Sequence, residues 1–139
     1  MTALASDRDP LPIMVAWLRA TGLEAAIYGG ISSPPPLFDP RTNAAICVTV
    51  RGGTDDYTGA FKVVSYQFAI WGTGQEYYEQ VVSANTLAAQ LHNRLQDELS
   101  YTMHARRETL PTTIEDQATG WPYVLTFYQI MLSQIAEGE

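Results

Sequence analysis

Two histidines, one cysteine and a few adjacent carboxylates are the obvious chemical candidates in this 139-residue chain. His92 and His104 lack a second His or Cys at a ligand spacing such as i+4, so the sequence offers no zinc pair. Asp55-Asp56 and Glu115-Asp116 are neighbours on extended or loop-forming sequence, where successive side chains point apart. Neither pair sits in a glycine-centred calcium loop. Cys47 lies within Ala45-Ile46-Cys47-Val48-Thr49-Val50, an apolar run in which a thiol behaves as a small buried hydrophobe. No Gly-x-Ser-x-Gly elbow is present, and Cys47 has no evident histidine partner. Gly72-x-Gly74 stands where a strand meets a helix, as a dinucleotide-binding loop would. Tyr77 occupies its third glycine position, and no acidic strand end follows at the required distance. Arg51-Gly52-Gly53 lacks the Lys-Ser or Lys-Thr of a phosphate loop. The residues therefore point to no catalytic, cofactor-binding or metal site.

Charge narrows the partners. The chain has 8 basic and 15 acidic residues, for a net charge of −7. Such a surface does not grip nucleic acid, which requires clustered Lys and Arg. Arg106-Arg107 is the one adjacent basic pair and suits pairing with a neighbouring acidic surface. Hydrophobic residues make up 46% of the chain, enough for a core. A single cysteine cannot form an internal disulfide and fits a reducing interior. No secretory leader and no membrane-spanning run is read, so a soluble protein is expected.

The elements that would hold these residues follow from periodicity. Residues 1–9 read as loose and polar. Pro10 and Pro12 open a short helix, with Leu11, Met14, Val15 and Leu18 at helical spacing and Gly22 at its end. Residues 25–31 continue as helix or as a short strand. Residues 32–40, with Pro34-Pro35-Pro36, form a stiff connector. Residues 44–50 read as a strand, 51–59 as a glycine-rich loop, and 61–71 as the strongest strand. Val64, Tyr66, Phe68 and Ile70 share one face of that strand, and the two strands form a hairpin. A long helix is expected over about 75–99, with Val81, Ala84, Ala88, Leu91 and Leu95 inward and Tyr77 or Tyr78 at its front. Gln80, Gln90 and Asn93 fall on its solvated side.

Residues 106–110 read as a short strand, 112–120 as turn-like, and 122–133 as a second long strand. Both faces of that last strand are apolar: Val124, Tyr128 and Ile130 on one side, Tyr123, Leu125, Phe127 and Met131 on the other. The second face must meet another layer or another subunit. The expected fold is a single α+β domain over 1–139. It has a mostly antiparallel sheet of about four strands, with the long and short helices packed on one side.

The order of these elements, with Val50-Arg51-Gly52-Gly53, the strand Val64-Ser65-Tyr66-Gln67-Phe68-Ala69-Ile70-Trp71 and the helix end Leu91-His92-Asn93-Arg94-Leu95, is similar to the tail-terminator (minor tail or minor capsid) proteins of long-tailed bacteriophages. The resemblance covers roughly residues 11–132. It implies a structural virion protein without cofactor, forming a homohexameric ring that caps the tail tube and stops its polymerisation. It further implies contact with the tail-tube protein and with the head-side connector or neck, while genomic DNA passes through the lumen unbound. Such a subunit assembles in the host cytoplasm and resides in the tail of the virion. By carry-over, Arg51, Gly52, Gly53, Asp55, Asp56 and Tyr57 lie on a loop reaching a neighbouring subunit or the tube. Two other readings stay open: another head–tail connector, neck or head-completion protein, and a small enzyme or ligand-binding domain.

Overall fold

In a computed structural model, residues 9–55, 61–97 and 102–133 are described. Helix α1 (Pro10–Ala20) is followed by strands β1 (Ala26–Gly29), β2 (Ala45–Asp55) and β3 (Phe61–Trp71). Helix α2 (Tyr77–Asp97) and strands β4 (Thr102–Glu115) and β5 (Pro122–Ser133) complete the order. The five strands form one sheet in the order β1-β2-β3-β5-β4. Only β1 with β2 is parallel; every other pair is antiparallel. The fold is thus α+β, with β1 as the fifth strand and the parallel edge.

Local chemistry explains the helix boundaries. Asp9 caps α1, its Oδ1 accepting from Leu11 N at 3.0 Å, and Pro10 takes the first helical position. Gly22, with φ +79°, turns the chain out of the helix beyond Thr21. At α2, Glu79 reaches back so that its Oε1 accepts from Gln75 N and Glu76 N, each at 3.1 Å. That is the return half of a capping box, formed without a Ser or Thr cap.

Both helices lie on one face of the sheet, α1 against β1 and β2, α2 against β3, β5 and β4. Met14, Leu18, Ile46, Val48, Phe68, Leu91, Leu95, Val124, Tyr128 and Ile130 form the core between the layers. Gly72 lets α2 come close: a Cβ there would stand 2.2 Å from Gln80 O.

Several details differ from the sequence reading. The strand after residue 44 does not end at Val50; residues 51–55 belong to β2 rather than to a loop. Residues 112–115 are strand, not turn, because β4 follows β5 along most of its length. Tyr77 and Tyr78 are 47% and 75% exposed and do not pack at the front of α2. Gln80 is buried instead, donating from Nε2 to Gly74 O at 3.0 Å, which satisfies the amide inside the strand-to-helix turn. Asp56, Tyr57, residues 1–8 and the helix end expected at 98–99 lie outside the described residues.

Candidate functional site

β5 decides where the molecule is unfinished. Its residues Val124, Thr126, Tyr128, Ile130 and Leu132 are buried under α2, while Tyr123, Leu125, Phe127, Gln129 and Met131 face away and are half-buried. The far face of the sheet divides into two halves. In one, Phe38 from the proline-rich connector seals a second cluster of Ala45, Cys47, Ala69 and Trp71, edged by Trp121, Tyr123 and Leu125. The Phe38 and Trp121 rings meet edge-on with centroids 6.0 Å apart, and Trp71 stacks on Tyr123 at 4.4 Å. Pro40 O ties this strap to the start of α2, accepting from Thr73 Oγ1 at 2.7 Å and Gly74 N at 3.0 Å. Beneath the strap Cys47 is wholly buried, and burial pushes its thiol up to about 12, which keeps it protonated and unreactive.

The other half has no described cover. Cross-strand pairs Val63–Met131, Ser65–Gln129 and Gln67–Phe127 run down it. These three pairs mix apolar and neutral polar side chains, with charged residues only around them, unlike the charged outer face expected of a sheet left to water.

Arg51-Gly52-Gly53 borders this open half as a β-bulge, not a loop. The register passes from Val50↔Tyr66 to Gly52↔Ser65, which leaves Arg51 as the extra residue. Gly52 has φ +138°, and a Cβ on Gly53 would lie 2.6 Å from Val63 O. Both glycines are thus required by the backbone. The bulge lays the Arg51 side chain across the sheet: its guanidinium sits 4.9 Å from the Phe127 ring centroid and Nη1 donates to Gln67 Oε1 at 3.1 Å. An exposed cation–π contact contributes only ~0.5–1 kcal/mol and a neutral hydrogen bond about 1 kcal/mol. Such a guanidinium is available to a carboxylate on another molecule. A shallow hollow of about 370 Å³ beside it is lined by Arg51, Ser65, Glu108, Thr109 and Phe127. Asp55 closes β2 opposite Lys62, so the described candidates share the outer end of one hairpin rather than converging on a pocket.

The sheet's edges are blunted. Ala26 N and Gly30 N donate towards β2, so the Ile27 carbonyl points outward, and Arg19 Nη2 donates to it at 3.4 Å. On the other edge β4 carries three register breaks and Pro111. Short length, breaks and proline oppose strand addition.

One cluster of titratable groups lies elsewhere, between α2 and the sheet. His92 Nδ1 is 2.6 Å from Tyr128 Oη, and Arg107 also bonds that hydroxyl. Arg107 can only donate, so the Tyr128 proton is directed at Nδ1 of a neutral imidazole. Arg107 therefore serves a tyrosine, not an acidic surface. Partial burial and then the Arg107 charge hold the His92 pKa below its ordinary 6.5, while burial raises that of Tyr128. Because the folded-state His92 pKa is depressed, its contribution to stability is full above pH 6.5 and is lost as pH falls through the folded value. Melting temperatures of wild type and His92→Gln compared between pH 7 and pH 5 check this: wild type is expected to lose more on acidification. Equal losses would remove His92 from the pH dependence.

Asp116 serves the β4–β5 turn, its Oδ2 accepting from Thr119 N at 3.1 Å and Thr119 Oγ1 at 2.6 Å. Among the described residues no group of three or more His, Cys, Asp or Glu side chains could hold a metal ion, and no helix is long and apolar enough to cross a membrane. No protein-family model matches the chain, and no curated protein matches it significantly.

Proposed function

We propose that this chain is a ring-forming tail terminator of a long-tailed bacteriophage, a structural virion protein rather than an enzyme. In this reading identical subunits close into a hexamer on the end of the tail tube, stop its growth and offer a landing surface to the head-side connector. The observation that carries it is the half-covered sheet: Val63, Phe127 and Met131 are only half-buried, on an outer face that no described segment covers. An apolar face of this kind favours association. Blunted edges direct that association through faces, and a closed cyclic arrangement leaves no open end. The net charge of −7 suits a lumen through which DNA slides without being held by ion pairs. The element order and the Val50-Arg51-Gly52-Gly53 hairpin, which resemble the terminator pattern, supply the functional context.

The test is polymerisation of purified tail-tube subunits followed by electron microscopy. Substoichiometric amounts of this protein are expected to halt tube growth and to appear as a cap at one end. Tubes that grow unchanged and uncapped would remove the terminator reading.

A further inference from the structure

The two outer surfaces of this two-layer domain differ in charge. Along α2 the exposed residues Val82, Asn85, Thr86, Ala89, Gln90 and Asn93 are all uncharged. A helix face left to water ordinarily carries charges, and their depletion marks the core of protein–protein contacts. Among the described side chains the carboxylates stand at the start of the helix, where Glu76 and Glu79 are exposed beside Tyr77 and Tyr78. The open half of the sheet carries the opposite sign. Arg51 lies over Phe127 there, and Arg106, paired with Gln129, shares the same face. Glu108 lines the hollow beside Arg51, which leaves the face net positive.

We infer that the outer face of α2 in one copy packs on the open sheet face of the next copy, with Glu76 and Glu79 answering Arg51 and Arg106. The inference rests on the ring reading and gives that ring its contact. Helix and open face lie on opposite sides of the sheet, so the contact is head-to-tail. Repeated, it buries both surfaces of every subunit that has two neighbours, and it closes into a ring when the rotation between copies divides a full turn. Two α2 faces meeting symmetrically would leave both sheet faces bare. A second copy is the occupant because one chain carries both complementary surfaces, Glu76 and Glu79 at the start of α2 and Arg51 and Arg106 on the open sheet face. Their pairing offsets locally the repulsion between subunits of net charge −7.

The experiment places Ala89→Cys and Gln129→Cys together in the full chain. Cys47 stays in place, since it is buried beneath the strap with its thiol pushed up to about 12. Mild oxidation of the double variant is expected to produce a ladder of covalent oligomers on a non-reducing gel. Each single variant and the wild type should give none. Light scattering on the same samples separates the possible failures. Oligomers in solution without a ladder would overturn this contact and leave the ring standing, whereas monomers that give no ladder and do not bind tail tubes would overturn both. Covalent dimers from Ala89→Cys alone would replace the head-to-tail contact by a symmetric helix pair. As a second variant, Ala89→Arg at an exposed helix position should raise the concentration needed for assembly at least tenfold with the helix content unchanged. Unaltered assembly would count against the contact.

Discussion

Gly72→Ala is expected to destabilise the protein by about 3 kcal/mol, the upper part of the range for overpacking. The added methyl would stand 2.2 Å from Gln80 O, 2.3 Å from Ala84 N and 2.9 Å from Ser83 Cβ. Two of these are backbone atoms of α2, so no flexible side chain can move aside. The helix must shift off the strand, loosening Ala84, Leu87 and Leu91 from the core they complete. A domain of this size has roughly 5–15 kcal/mol of total stability, so this one methyl removes a large share. Urea unfolding followed by circular dichroism checks it: the midpoint should fall by about 1.5 M or more. Gly120→Ala is the control, because φ is +78° there but nothing lies within 4 Å of the new Cβ. It should cost only the backbone strain, about 1 kcal/mol. Equal effects at the two positions would mean that α2 is not seated on Gly72.

Phe38→Ala should also cost about 3 kcal/mol, the lower part of the range for a buried phenylalanine. Phe38 is 7% exposed, while its neighbour Leu37 is 97% exposed, so the strap turns one apolar side chain in and the other out. Removing the ring opens the cluster around Trp71 and Trp121 without touching the core under the helices. Among the described residues the strap's other ties include the hydrogen bonds to Pro40 O, that of Gln75 Nε2 to Arg41 O at 3.3 Å and the Asp39–Arg41 pair within the strap itself. Cys47 reports the result directly, since a thiol reagent reaches it only when the strap lifts. In native conditions its modification is expected to speed up roughly a hundredfold in Phe38→Ala. Leu37→Ala should change stability by less than about 0.5 kcal/mol and leave the reaction rate unaltered. A slow Cys47 in Phe38→Ala would show that the second cluster is closed by something other than the strap.

The sequence made the two-layer fold legible where one periodicity acts alone. β3 alternates without interruption from Val63 to Ile70, and α2 repeats its apolar residues every three or four positions, so both emerge from pattern. β5 is legible further: apolar residues on both its faces imply a second contact surface, part of which Phe38 covers. The failures share a cause, since each depends on a partner distant in sequence. β4 is broken by bulges at Thr102/His104, Arg107/Thr109 and Thr109/Thr112, which scramble its period of two and hide its 14-residue length. β1 is four residues long and exists because β2 lies beside it. Gln80 falls on the polar side of α2 by hydropathy, yet the Gly74 carbonyl draws it inward.

The candidate site was legible only in part. Arg51-Gly52-Gly53 stood out as unusual, but glycines that signal a loop also signal a bulge, and only the register of β2 on β3 separates the two. The contact of Arg51 with Phe127 spans 76 residues and could not be read from spacing. Phe38 left one trace in the sequence, an aromatic residue just beyond three prolines, but Leu37 beside it is equally apolar and only the structure separates the two. The His92–Tyr128–Arg107 cluster left none, because α2, β4 and β5 each contribute one member.

Assembly into a closed ring is the claim on which the rest depends, and solution mass tests it most directly. Light scattering over a concentration series should give about six times the 15.4 kDa chain mass, with negative-stain images of rings around a central hole. A protein that stays monomeric at every concentration and also fails to bind tail tubes would contradict the account.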